Sequence, residues 1–348
     1  MTLTPATRPV IGFDLQHSRT QTLLREGASQ RARESLVGDG RRKHIPNAVR
    51  TGAWATEAVE AFYRESPLPR MLVQPEQLLG WRTDPWGAGF LAGLGARLAG
   101  YLGVPPAAVG AGYLGYLVGW PDVPDDVTGR FAAAGLPEAS PVAPGDALLC
   151  RWLAASGDQR GPARCVVAVA IGERHTAATR YTLDRAPGGA VRRVTREATD
   201  SLRAGGGPWV TGLAVDLMRR LPEPPPGDVI LPLLDTLQEL DGSGSVRDRL
   251  IWTGPLADGL AYPYEVDWES GVLEKVLQPA LWQVTQLARD LAVGADLVLV
   301  GGGAAAWPVL PHALTQEGMP VWRTPDPATD LVSGAVKWRD YSSLFLPD

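Results

Sequence analysis

Asp14 closes an apolar run, Val10-Ile11-Gly12-Phe13, at a place where a carboxylate is costly unless it binds something. A single carboxylate at a strand mouth suits a magnesium ion held through its waters, since that ion keeps most of its hydration and takes few carboxylates. The competing reading is an aspartate that caps the next turn. A second chemical feature lies near the other end of the chain. Leu297 to Val300 is apolar and half β-branched, and Gly301-Gly302-Gly303 follows it with no side chains to hold a flat ligand away. Ala304 to Leu314 then reads as a helix with Pro308 near its first turn, where a missing N–H costs little. Strand, glycine turn and helix N-terminus together offer a site to a nucleotide or another polar ligand.

Two polar turns carry the remaining candidates. Gln16-His17-Ser18-Arg19 follows the strand that ends near Asp14, and Gly172-Glu173-Arg174-His175 follows a second apolar strand. Arg19, Arg174 and His175 are cations that can hold phosphate through charge-assisted hydrogen bonds. His17 and His175 occupy equivalent turns and read as ordinary turn residues. The four histidines (His17, His44, His175, His312) show no metal-ligand spacing, which argues against zinc. Gly110-Ala111-Gly112-Tyr113-Leu114-Gly115 fits the GxGxxG pattern, but it reads as a glycine-rich strand. Pro105-Pro106 leaves too few residues for a preceding strand, and Gly115 to Gly119 is a poor helix.

The elements that position these residues follow from pattern. Residues 10–15 and 20–24 read as a hairpin, Ile45 to Val49 as a short strand, and residues 56–65 and 89–102 as helices, the second stopped by Pro105-Pro106. Val109 to Val118 reads as a strand, and residues 127–134 as a helix ending at Gly135. A helix over 146–155 precedes the linker Ser156 to Pro162. The pattern then restarts: a strand over 165–171, a turn, and a returning strand over 176–183 repeat the arrangement of residues 10–24. Helices over 210–221, 231–240 and 272–291 complete the reading.

A chain of 348 residues, 45% hydrophobic and 20% charged, has room for about two domains. Its net charge of -5 gives no footprint for nucleic acid, and Arg41-Arg42-Lys43-His44 reads as a solvated loop. Asp14 and His17 interrupt the only early apolar segment, so no signal peptide is read. Asp296, three glycines and two prolines argue against a membrane span over 291–314. Two cysteines without metal-type or CxxC spacing fit a reduced, cytoplasmic chain.

Taken in order, several of these segments resemble the nucleotide-binding domain of the DnaK-like heat-shock chaperones, within the actin-like ATPase superfamily. Ile11-Gly12-Phe13-Asp14-Leu15 resembles the first phosphate strand and Ile45-Pro46-Asn47-Ala48-Val49 the family's "IPS-V" segment. Pro121 to Leu136 resembles the helix and turn ending in "AGL", and Asp146 to Leu149 falls where the linking helix begins. Gly206-Gly207 falls at the "GG-D" turn, Leu297 to Pro308 resembles the adenosine motif, and Pro325-Asp326-Pro327 with Gly334-Ala335 resembles the closing segment. The resemblance implies an α/β, actin-like, two-lobed fold, each lobe a ribonuclease-H-like mixed sheet with flanking helices. Lobe I would span 1–156 with an inserted subdomain about 42–105. Lobe II would span 157–348 with an insert about 205–268. It also implies ATP or ADP with magnesium as cofactor. The cofactor-binding set is then Gln16, His17, Ser18, Arg19, Gly172, Arg174, His175, Gly206, Gly207, Arg249 and Gly301 to Gly303. Asp14 is the catalytic and metal candidate.

The departures from the family set the functional expectation. The first phosphate loop has Gln16-His17-Ser18 where the family has glycine and two threonines, so side chains crowd where backbone should approach. Ala170 stands at the second loop's aspartate, Ala143 at the glutamate before the linking helix, and residues 76–81 contain no lysine. The adenine-stacking arginine has become Ala305 or Ala306. Losing one such contact costs orders of magnitude in rate, so little or no ATP hydrolysis is expected. The chain also ends soon after Gly334-Ala335, so no peptide-binding domain is expected. The leading expectation is a degenerate chaperone-like nucleotide-binding module acting on an unidentified protein partner. The alternative is an actin-like filament or scaffold protein that self-associates. An active kinase of the same superfamily is a third reading, weakened by the lost phosphate-loop residues.

Overall fold

The computed structural model describes residues 8–16, 19–27, 33–39, 45–46, 49–50, 53–55, 57–58, 87–155, 163–207, 271–306, 309–316 and 318–345. They form a mixed α/β structure with two separate mixed sheets flanked by helices. The first sheet contains β1 (Val10–Leu15), β2 (Arg19–Glu26), β3 (Arg33–Leu36), β4 (Ile45–Pro46), β7 (Leu114–Val118) and β8 (Ala139–Val142). A short ribbon, β5 (Val49–Arg50) with β6 (Ala53–Trp54), stands apart from it. The second sheet contains β9 (Cys165–Ile171), β10 (Thr176–Arg185), β11 (Val191–Leu202), β12 (Leu297–Gly301) and β13 (Val321–Trp322).

The main path of each sheet has one topology. The order is β3-β2-β1-β7-β8 in the first and β11-β10-β9-β12-β13 in the second. In each, the opening strand pairs antiparallel with the second and parallel with the fourth, the second pairs antiparallel with the third, and the fourth pairs parallel with the fifth. The strand pairs of residues 10–26 and 165–185 therefore hold equivalent places in two different sheets.

Helices cover the faces as side-chain alternation requires. Ile11, Phe13 and Leu15 point into a core built with α1 (Ala88–Leu102) and α3 (Val127–Ala133), where Phe13 meets Phe131 edge-on at 4.9 Å. Val10 packs on the other face against Val332 and Val336 of α7 (Asp330–Tyr341). In the second sheet, Val166, Ala168 and Ala170 share a core with Leu148, Leu149 and Trp152 of α4 (Pro144–Ala155). The helix α5 (Gly271–Ala292) also packs on this sheet, against β9, β10 and β11.

The two sheets are joined through α4 and α7, which lie against each other. Gly334 rests on the backbone carbonyl of Ala147, with no room for a Cβ, and Gly12 lets Val336 approach β1 with 2.6 Å to where its Cβ would stand. A half-buried ionic cluster ties α7 to the first sheet, its cations buried and its carboxylates reaching solvent. Lys337 bonds Glu34 and Ser333, while Arg25 pairs with Asp340 at 2.6 Å. Desolvation lowers the proton affinity of Lys337, against the pull of Glu34.

Several sequence expectations need correction. Residues 109–118 are not one strand: α2 (Pro106–Gly112) precedes β7. Pro106 at the first helical position and the small residues after it favour the helix. The GxGxxG segment thus runs from helix to strand, the reverse of a dinucleotide turn. The helix α1 ends through Gly103 at φ 65, whose N–H reaches the Ala99 and Gly100 carbonyls, rather than at the prolines. Residues 303–306 form a 3-10 turn and Val309–Gln316 form α6, so the segment expected as a helix from Ala304 opens as 3-10. Strands β8 and β11 and helix α7 were not read from sequence at all. The linker 156–162 and the expected helices at 210–221 and 231–240 lie outside the described residues. Among the described residues no helix is long and apolar enough to cross a membrane.

Candidate functional site

The site forms where the opening hairpin of one sheet meets the opening hairpin of the other. Phe13 faces the core, so Asp14 emerges on the opposite face at the end of β1, and it is 1% exposed. Parallel pairing of β7 with β1 brings the residues just after Val118 to the same end of the sheet. Trp120 accordingly donates its indole N–H to Asp14 Oδ1 at 2.7 Å, and Gln16 donates its amide N–H to the same oxygen at 2.7 Å. Burial, with a smaller push from Asp122, raises the carboxyl of Asp14 from 3.8 to about 6, although both hydrogen bonds and Arg19 oppose the rise. Both donors are side chains, which is a different arrangement from a turn cap.

Gln16 reaches across to the second sheet. Its Oε1 accepts the backbone N–H of Glu173 at 2.8 Å, and the same oxygen lies 2.9 Å from where a Cβ on Gly172 would stand. The ring of Trp120 covers Gly172 as well, so a side chain there would have to push the Gln16 oxygen aside. His175, in the same turn, faces Asp122 at 4.0 Å. Gly206 and Gly207 join this turn through their N–H groups, bonded to the carbonyls of Gly172 at 2.9 Å and Glu173 at 2.8 Å. Gly172, Arg174, His175, Gly206 and Gly207, expected as cofactor contacts, thus belong to one loop cluster.

The glycines that end and follow β12 are close-packed rather than open. Gly301 stands under Leu148 of α4, whose Cδ1 lies 2.5 Å from where a Cβ would stand. Gly302, at φ 103, lies against the backbone of Ile171 and donates its N–H to the Pro327 carbonyl at 2.8 Å. Gly303 faces the first sheet, and the Arg19 guanidinium lies where its side chain would be. Arg19 and Gln16, three residues apart at the mouth of one hairpin, therefore touch the second sheet at two points. His17, Ser18 and Arg249 lie outside the described residues. No protein-family model matches the chain, and no curated protein matches it.

The geometry limits the chemistry. Ala170 is fully buried in β9, paired with Gly301, so no carboxylate projects from that position. Among the described residues, no group of three or more His, Cys, Asp or Glu side chains could hold a metal through protein ligands alone. Asp14 and Asp122 repel one another weakly, an arrangement that a hydrated divalent cation would relieve. Sequence reasoning missed Trp120 and Asp122 as site residues. The signal was available: they follow a strand parallel to β1, and ligand sites of parallel sheets collect at the carboxyl ends of their strands.

Proposed function

We propose that this chain is a degenerate nucleotide-binding module of actin-like, two-lobed architecture, which binds ATP or ADP weakly and regulates a protein partner rather than turning nucleotide over. The observation that carries this reading is the matching 3-2-1-4-5 order of the two sheets, each with only its second strand reversed, with their opening hairpins meeting at Gln16 and Glu173. That order is what a ribonuclease-H-like pair of lobes requires, and α4 and α7 are the crossing helices that would carry a hinge. Asp14 supports a ligand role, because a buried carboxylate with a raised proton affinity is costly to keep.

Within this reading, Asp14 would hold a magnesium ion through its waters, and Arg19 and Arg174 would face the phosphates. The ion supplies neutralising charge. Hydrolysis also needs a positioned attacking water and transition-state contacts that Ala170 and Ala143 do not provide. The expected result of calorimetric titration with ATP and ADP, with and without magnesium, is a dissociation constant on the order of micromolar to millimolar, worth about 4 to 8 kcal/mol. Phosphate release should stay near background. No heat and no melting shift at millimolar ATP would refute the nucleotide reading.

A further inference from the structure

We infer that the side chain of Gln16 is an intramolecular stand-in for a ligand oxygen, and that the cleft's anionic, phosphoryl-bearing ligand enters by displacing it. The inference rests on the nucleotide reading above and adds a mechanism of autoinhibition to it. Gln16 is 6% exposed and bonded at both ends: it donates to Asp14 Oδ1 at 2.7 Å and accepts the Glu173 N–H at 2.8 Å. A backbone N–H at the turn after an apolar strand is the kind of donor that holds a phosphate oxygen. Here that donor is satisfied by a neutral carbonyl oxygen from the same chain. Gly172 lets the oxygen stand 2.9 Å from where a Cβ would be, closer than a real Cβ contact comes. The amide end is equally specific, because only a group with both a donor and an acceptor can bridge a carboxylate and an N–H.

Arg19 completes the plug. Its guanidinium fills the space beside Gly303, so the opening hairpin of the first sheet occupies the second sheet at both the β9–β10 turn and the turn after β12. A phosphoryl group entering between them would exchange one neutral hydrogen bond at Glu173 for a charge-assisted one. It would also give Arg19, whose charge acts on Asp14 in the closed arrangement, a second anionic partner. The closed arrangement is thus one state of a two-state element, and a ligand shifts it only by its differential affinity for the open state.

The test compares wild type with Gln16→Ala in the full chain. Hydrogen exchange of the Glu173 amide reads the bridge directly, and calorimetry with Mg-ATP and with pyrophosphate reads the cleft. The expected result is at least tenfold faster exchange at Glu173 and at least tenfold tighter binding of the phosphoryl probe. Gain by both probes would assign the site to phosphates alone, and gain by ATP only would add the nucleoside. Unchanged exchange at Glu173 would overturn the inference. So would a wild type that binds ATP as tightly as the variant, which would leave the nucleotide reading standing. If neither protein binds either probe at millimolar concentration, the nucleotide reading fails and this inference falls with it.

Discussion

Gly334→Ala is expected to destabilise the protein by more than about 3 kcal/mol, and Gly334→Val to leave no cooperative unfolding transition. The reason is geometric. Gly334 of α7 sits directly on the Ala147 carbonyl of α4, and a Cβ there would overlap backbone, which cannot rotate away. Overpacking a core against flexible side chains costs about 1 to 3 kcal/mol, and a clash with helix backbone belongs above that range. The helices would have to separate, and with them α7 from Gly12 and α4 from Gly301, so both sheets would lose their shared packing. Gly100→Ala is the matched control. Gly100 is exposed on α1 with open space where its Cβ would stand, so alanine there should stabilise by about 0.5 to 1 kcal/mol. Thermal and denaturant melts of the two variants should move in opposite directions. A Gly334→Ala protein as stable as wild type would mean that α7 does not pack on the Ala147 carbonyl of α4.

The sequence made the repeating strand-turn-strand units legible because their signals are local. Cys165 to Ile171 is a continuous apolar run, and the polar turn Gly172 to His175 bounds it without ambiguity. What stayed hidden depends on contacts far apart in the chain. Strand β11 reads as Arg, Glu, Thr and Asp, because it is an edge strand mostly facing water and carries no apolar alternation. Helix α7 begins at Asp330, and its buried Ser333, Gly334 and Lys337 give no amphipathic stripe, since it is enclosed by α4 on one side and the first sheet on the other. The site divides in the same way. Asp14 was legible as a carboxylate out of place in an apolar strand. The Trp120 donor and the bridge from Gln16 to Glu173 were not, since each joins residues more than a hundred positions apart. The triple glycine had an evident function in sequence, close approach, but the approaching group at Gly302 is the backbone of Ile171.

Asp14→Asn is expected to change the pH dependence of stability more than the stability at low pH. The carboxyl is raised from 3.8 to about 6 by burial, so the native state holds a proton that the unfolded chain has already released. Between about pH 4 and 6 the native state binds more protons than the unfolded state, and stability falls as pH rises. Above that window the ionised, buried carboxylate leaves the fold less stable by about 3 kcal/mol than it is below the window. Asp330, raised from 3.8 to about 6 mainly by burial, adds a second fall of the same sign. Asparagine keeps an oxygen able to accept from Gln16 and Trp120 but carries no charge. Relative to wild type, the variant should therefore gain about 3 kcal/mol on going from pH 3.5 to pH 7.5. Taking the difference between two pH values removes any constant effect of the new amide. Parallel stability curves for the two proteins would show that Asp14 titrates normally and carries no burial cost. Magnesium with ATP supplies the sharper half of the test. A cation near Asp14 would favour its ionised form, so the wild-type fall between pH 4 and 6 should shrink in its presence while the variant's curve keeps its shape. If magnesium and ATP shift both proteins equally, the cation is not bound through Asp14.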